Sequence, residues 1–316
     1  MFFLQCFCEW NLLSYLQVLH LIKQKQKGAL MIKLIFMMIC FIGIQFMSIA
    51  QDKKSCCSTE KSVSFTSFSE SKDFRDIHQV PAAFTLKEAK GKMITFKTKD
   101  GKTANAYFIK SERQSGKYIF IFHEWWGLND YIKKESDELK TKLGDVNILA
   151  IDLYDGMVAE NREDAAKFMQ SVKDERAFNI IQGAIDFAGK DAKIGTLGWC
   201  FGGGWSLQAS IMLGKQGKAC VLYYGIIENT PETFKNLNAP VLGIFAEQDG
   251  WVTPEVYGNL EKNLKAAGKK VTIKSFNADH AFANPSNTKF DVDATNKAKE
   301  LTLNFFKDNL DRRAHV

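Results

Sequence analysis

The chain has 316 residues, 46% of them hydrophobic, with 42 basic and 36 acidic side chains and a formal net charge of +6. That is a globular composition and excludes disorder for most of the length. Lysines are interspersed with acids throughout, so no basic stripe for nucleic acid exists, and the length suits one large domain or two small ones.

At the N-terminus, residues 31–50 have the form of a secretory signal. Lys33 gives a positive start, Leu34 to Phe46 is an uncharged apolar run, and Ser48-Ile49-Ala50 places small residues at a cleavage site. Met31 is a natural start, which makes residues 1–30 an upstream extension from a misplaced start. The apolar run is short of the roughly 20 residues that a membrane span needs. The expected product is exported, periplasmic or secreted, with no membrane attachment after cleavage.

Four cysteines follow the signal: Cys56, Cys57, Cys200 and Cys220. Their number and spacing fit neither a disulfide scaffold nor a zinc site. Residues 51–85, rich in Ser, Lys and Asp and without a clear period, read as a linker or loosely docked arm. Cys56-Cys57 reads as part of that exposed tail, and Cys220 as filler of a buried strand. Residues 86–312 form the single folded domain.

Within it, Met93–Thr98 and Ala104–Ile109 flank Asp100-Gly101, a hairpin turn. Tyr118–Phe122 is a continuous apolar run, as a strand buried on both faces requires. A helical pattern covers 130–142, Val146–Ile151 is apolar again, and a long helical pattern covers 161–189. Then come strand Ile194–Leu197, helix 201–213, strands Ala219–Tyr224 and Val241–Ala246, helix 254–267, strand Val271–Phe276 and helix 290–310. Strands alternating with helices predict an α/β fold: a mostly parallel, doubly wound sheet with an antiparallel N-terminal hairpin. In such sheets the ligand site lies beyond the carboxyl ends of the strands.

The residues at those ends carry chemistry. Gly198-Trp199-Cys200-Phe201-Gly202-Gly203 runs from strand into helix, the pattern of a nucleophile elbow. Glycines at 198 and 202 let the backbone pass closely, and the helix N-terminus favours thiolate at Cys200. Downstream, Val241–Ala246 leads to Glu247-Gln248-Asp249 and Val271–Phe276 leads to Asp279-His280. Nucleophile, acid and His in that order is the chain order of an α/β-hydrolase triad. His280 would be the base and Asp249 its orienting acid, with Glu247 and Asp279 as competitors. His123-Glu124-Trp125-Trp126-Gly127 follows another strand. Its Trp125 N–H and the Phe201 N–H are the candidate oxyanion donors. Glu124 reads either as a carboxylate near the thiol or as a helix-capping or surface acid.

Together, H-E-x-x-G-L-N at 123–129, D-L-Y at 152–154, G-x-C-x-G-G at 198–203, Q-D at 248–249 and H-x-F at 280–282 resemble the dienelactone hydrolase family. The resemblance implies an α/β-hydrolase fold, a Cys–His–Asp triad, and a Glu124 that contacts the resting thiol and moves when substrate binds. It also implies two carboxylate-binding arginines, at positions that hold Gly156 and Asn284 here. Their absence argues against a carboxylated lactone. Arg162 is a possible substitute from the next helix. Trp126, Tyr154, Trp199 and Trp251 cluster in the same loops, either as packing or as walls of an apolar substrate pocket.

The expectation is therefore a monomeric cysteine hydrolase of a small ester or lactone, with no cofactor, metal or nucleic-acid partner. There is no P-loop, no dinucleotide fingerprint and no H-E-x-x-H. A binding protein that kept the fold, or a thiol-redox protein using Cys200, are the rivals. His78 in the arm and His315 at the C-terminus are weak candidates, and His123 is expected to make a structural hydrogen bond.

Overall fold

The computed structural model describes residues 69–311. In chain order they form helix α1 (Lys72–Ile77), strands β1 (Lys92–Lys97), β2 (Thr103–Ile109) and β3 (Lys117–Phe122), and helix α2 (Asp130–Leu143). These are followed by strand β4 (Asn147–Ile151), helices α3 (Arg162–Ser171) and α4 (Asp174–Ala188), strand β5 (Lys193–Trp199), helix α5 (Phe201–Leu213) and strands β6 (Gly217–Tyr223) and β7 (Val241–Ala246). Helix α6 (Pro254–Ala266), strand β8 (Val271–Phe276) and helix α7 (Val292–Leu310) complete the order. The proposed upstream extension, the signal segment, Cys56-Cys57 and His315 lie outside the described residues.

All eight strands join one sheet in the order β1-β2-β4-β3-β5-β6-β7-β8. β2 pairs antiparallel with both β1 and β4, and every other pairing is parallel. β3, β5, β6 and β7 are central, and their side chains are almost uniformly buried, as strands covered by helices on both faces must be. The hairpin closes through Thr98 N–H to the Lys102 carbonyl at 2.9 Å, with Gly101 at φ 78 supplying the left-handed residue. Among the described residues, no helix is long and apolar enough to cross a membrane.

Two expectations need correction. The pattern over 161–189 is two helices, with Val172 and Lys173 in extended conformation between them. Asp174 and Glu175 begin the second helix, where carboxylates suit the exposed N–H groups of its first turn. Arg176 then ties that start to the hairpin turn, through Asp100 at 3.1 Å and Asp155 at 2.5 Å. A helical period continues across a two-residue break without an obvious change of phase.

The second correction concerns the arm. From Ser69 onward it is docked. Ser71 caps α1, Phe74 is 0% exposed and His78 is 3% exposed. Arg162 holds the end of the helix, donating from Nε to the His78 carbonyl at 2.7 Å, and Gln170 donates to Ser69 Oγ at 2.9 Å. Further along, the Leu86 and Lys90 N–H groups donate to the carboxylates of Asp130 and Asp137 on α2. A six-residue helix that buries one Phe and ends on a buried His cap has too little length to show a period, and its stability comes from tertiary contact.

Candidate active site

β5 ends at the elbow. Cys200 sits at φ 54, ψ −120, a conformation that costs an L-residue of order 1–3 kcal/mol and persists only where its surroundings enforce it. They do so by close packing: a Cβ on Gly198 would run into the Gly202 carbonyl, and one on Gly202 into the carbonyls of Phe122 and His123. The Cys200 N–H donates to the Tyr223 carbonyl at 2.9 Å, which fixes the turn against β6. The result is a sulfur standing at the first turn of α5, with the Phe201 N–H directed at it.

β7 and β8 deliver the other two groups. His280 Nε2 lies 3.4 Å from Cys200 Sγ, and His280 Nδ1 lies 2.6 Å from Asp249 Oδ2. The second Asp249 oxygen accepts from the Trp251 and Val252 N–H groups at 2.8 and 2.9 Å. The competing acids point elsewhere: Asp279 pairs with Lys289, and Glu247 accepts from Ser275 Oγ. Burial opposes charge on His280, but the Asp249 carboxylate and the sulfur raise its pKa well above the usual imidazole value. Burial likewise works against the Asp249 anion, yet His280 and the two N–H groups leave its pKa below the usual value. Burial pushes the Cys200 thiol up, with His280 pulling against it.

Glu124 lies beyond β3 and is neither a cap nor a surface acid. It is 7% exposed, burial raises its pKa to about 7, and its Oε2 accepts from Asn284 Nδ2 at 2.7 Å. Its charge also raises the thiol pKa, which places it within electrostatic reach of the sulfur. His123 has a framework role: Nδ1 donates to the Glu124 carbonyl at 2.6 Å, and Nε2 accepts from the Leu153 N–H at 3.1 Å. Trp125 packs with a fully buried indole in this same loop.

The four aromatic residues expected to wall a pocket separate into distinct roles. Trp126 and Trp199 line a cavity of about 30 Å³ together with Glu124 and Asn284. Tyr154 is not in that cavity. It is 2% exposed, donates to the Trp125 carbonyl at 3.1 Å and packs on His123 and Phe201, so it supports the loop from below. Trp251 packs edge-on against Phe74 of the arm. Gly156 donates its N–H to Asp152, and Arg162 is taken up by the arm, so neither presents a guanidinium to the site.

Sequence reasoning missed the arm's contribution. His78 Nε2 lies 3.9 Å from Cys200 Sγ, and the His78 ring is 5.2 Å from that of His280. Burial, reinforced by the nearby His280, lowers the His78 pKa to about 3, so the ring is neutral. Its Nδ1 is 2.7 Å from the Phe74 carbonyl, an acceptor, which puts the proton on Nδ1 and a lone pair on Nε2 facing the sulfur. Phe74 adds a ring against Trp125, Trp251 and His280. The available signal was the four-residue spacing of Phe74 and His78, which puts both on one face of a single helical turn.

The chain matches the model of the Dienelactone hydrolase family over residues 104–310. The chain belongs to the dienelactone hydrolase family. It is 29% identical over 232 residues to Protein usf of Aquifex pyrophilus, a match covering 70% of this chain and 99% of that protein. It is 24% identical over 220 residues to Carboxymethylenebutenolidase 1 of Cupriavidus pinatubonensis, covering 65% and 92%. Among solved structures, a dienelactone hydrolase-like promiscuous phosphotriesterase from metagenomic libraries superimposes with a TM-score of 0.60 at 20% identity, covering 70% of this chain and 99% of that one. Membership makes the chain a hydrolase of ester or lactone bonds.

Proposed function

We propose that this dienelactone hydrolase family member is an exported cysteine hydrolase of small, uncharged esters or lactones, with Cys200 as nucleophile. The observation that carries the reading is the run of contacts Cys200 Sγ to His280 Nε2 (3.4 Å) to Asp249 (2.6 Å), assembled from three strand ends. In the first step the thiol proton passes to His280 Nε2 as sulfur attacks the carbonyl carbon and the carbonyl π pair moves to oxygen. The Phe201 and Trp125 N–H groups stabilise that oxyanion. Collapse expels the alkoxide, which takes the proton from His280, leaving a thioester on Cys200. Water, deprotonated by His280, then attacks the thioester carbon. The acid departs, and the thiolate recovers the proton from His280.

Glu124 is the group suited to tune the thiol. As a buried carboxylate within reach of the sulfur it holds the thiol protonated at rest, and its displacement by substrate releases the thiolate. The preference for an uncharged substrate rests on Gly156 and Asn284 standing where the family resemblance places arginines, and on the aromatic lining from Trp126 and Trp199. Export rests on the signal-like residues 31–50.

A panel of p-nitrophenyl acetate, neutral lactones and carboxylated lactones, run on wild type and Cys200→Ala, tests the reading. Hydrolysis of the neutral substrates that vanishes in Cys200→Ala supports it; equal rates in both proteins refute it. A disulfide-exchange role for Cys200 finds no partner in Cys220. That residue pairs with Thr196 on β5, four positions before the nucleophile, which is about 13 Å along the strand.

A further inference from the structure

His78 has no part in the acyl-transfer steps above, yet it is buried against the nucleophile. Cys200 Sγ, His280 Nε2 and His78 Nε2 all lie within 4.8 Å of one another, and all three residues are buried. Each imidazole has its other nitrogen engaged: His78 Nδ1 donates to the Phe74 carbonyl, and His280 Nδ1 bonds Asp249 Oδ2. Both rings therefore aim Nε2 at the sulfur. Carbonyl and carboxylate partners behind imidazole ligands are the second layer that orients histidines around a metal ion.

We propose that Cys200, His280 and His78 form a binding site for a borderline-soft divalent cation of the zinc class, which locks the arm over the nucleophile. Zinc bonds of about 2.3 Å to sulfur and about 2.0 Å to nitrogen, at tetrahedral angles, set S···N near 3.6 Å and N···N near 3.3 Å. The observed S···N separations are 3.4 and 3.9 Å. A side-chain adjustment of about an ångström completes three ligands, with the fourth position left for water. Thiolate sulfur with two imidazoles suits this class of ion and not magnesium or calcium, which take oxygen donors. The thiolate and Asp249 balance the ion's two positive charges, and Glu124, when ionised, adds a further negative charge within electrostatic reach of the sulfur. Binding displaces the thiol proton, and the His280 proton where present, to solvent; no electron is transferred.

The consequence is a latent enzyme. The ion occupies the nucleophile and its base, and because His78 is 122 residues upstream of Cys200, it also crosslinks the arm to the domain. This site stands independently of the hydrolase reading, since it needs only the three side chains.

Metal-free full-length protein is titrated with CoCl2 and, separately, with ZnCl2 against a chromophoric chelator, in wild type and in a Cys56→Ser/Cys57→Ser background. Expected are one equivalent of metal, a sulfur-to-cobalt charge-transfer band with intense tetrahedral d–d bands in both proteins, and loss of iodoacetamide labelling at Cys200. His78→Ala weakens binding by about 100-fold or more, beyond the about 10–100-fold typical of outer-layer partners. His78→Cys, which restores a soft donor, recovers affinity with a stronger charge-transfer band; far-UV circular dichroism confirms that both variants fold. Absence of metal uptake by wild type, or a His78→Ala protein with unchanged affinity and spectrum, overturns the proposal. Ester hydrolysis by the metal-free protein is measured in parallel. Hydrolysis without metal uptake sinks this site alone, and metal uptake without hydrolysis sinks the hydrolase reading alone.

Discussion

Replacing Asp249 by Asn changes almost no volume and isolates one question: which nitrogen of His280 carries the proton. Asp249 Oδ1 accepts from the Trp251 and Val252 N–H groups, so in the variant the amide oxygen settles there. The amide NH2 then takes the place of Oδ2 and faces His280 Nδ1. Two donors cannot face each other, so His280 moves its hydrogen to Nε2, and Nε2 loses the lone pair that accepts the thiol proton. Flipping the amide restores the tautomer but leaves two backbone donors facing NH2, at about 1–3 kcal/mol each. That total of about 2–6 kcal/mol corresponds to a loss of about 30- to 20,000-fold in kcat, at tenfold per about 1.4 kcal/mol. The equivalent change in a serine triad sits at the upper end, about 10⁴. The assay is steady-state hydrolysis of p-nitrophenyl acetate in the presence of a chelator, with thermal unfolding to verify the fold. A folded Asp249→Asn enzyme within tenfold of wild type refutes the assignment of Asp249 as the orienting acid.

Phe74→Ala removes the fully buried anchor of the arm. Core Phe→Ala changes cost about 3–5 kcal/mol, and here the loss falls on a short segment able to detach locally. Iodoacetamide labelling of Cys200, which is 1% exposed, should rise more than tenfold without a matching fall in the unfolding midpoint of the domain; an unchanged labelling rate contradicts the covering role of α1. Glu124→Gln removes a charge that raises the thiol pKa, so the pH profile of Cys200 alkylation should move to lower pH while turnover falls. A shift to higher pH, or none, removes Glu124 from the account. Tyr107 donates to Asp137 Oδ1 and accepts from the Gly91 N–H, both at 2.7 Å. Tyr107→Phe leaves the Gly91 donor facing a ring and should cost about 1–3 kcal/mol in urea unfolding.

The sheet was legible because its central strands are short apolar runs and its helices are long enough to show a period. Helix α5 and strands β7 and β8 fall at the residues the pattern predicts. The elbow and the Asp249 and His280 positions were legible for a related reason: a parallel sheet sends its functional side chains to strand ends, so finding the strands finds the site. The break between α3 and α4 was not legible, since two helices in series share a period and the caps at the break, Val172 and Lys173, include no Gly or Pro.

The arm escaped detection for a different reason, and it bears most on function. Composition marks Ser69–Val80 as polar chain, because nine of its twelve residues face solvent or lie only partly buried, and local pattern reports on the majority. The two that matter, Phe74 and His78, are held by partners far along the chain: Arg162 at the helix end, Trp125 and Trp251 around the ring, Cys200 beneath the imidazole. No window of sequence contains those partners. A lone His in a polar segment is ordinarily a solvated side chain, and only the tertiary fold turns it into a neutral, oriented imidazole beside a thiol. Burial keeps that ring neutral by lowering its pKa to about 3, and its Nδ1 is committed to the Phe74 carbonyl at 2.7 Å. A Leu at that position would supply apolar contact but no lone pair toward the sulfur. The orientation of the imidazole, with Nε2 3.9 Å from Cys200 Sγ, is the physical argument that position 78 serves the chemistry of Cys200 and not only the packing of the arm, and a His78→Leu protein with wild-type labelling, metal affinity and turnover is the outcome that would defeat it.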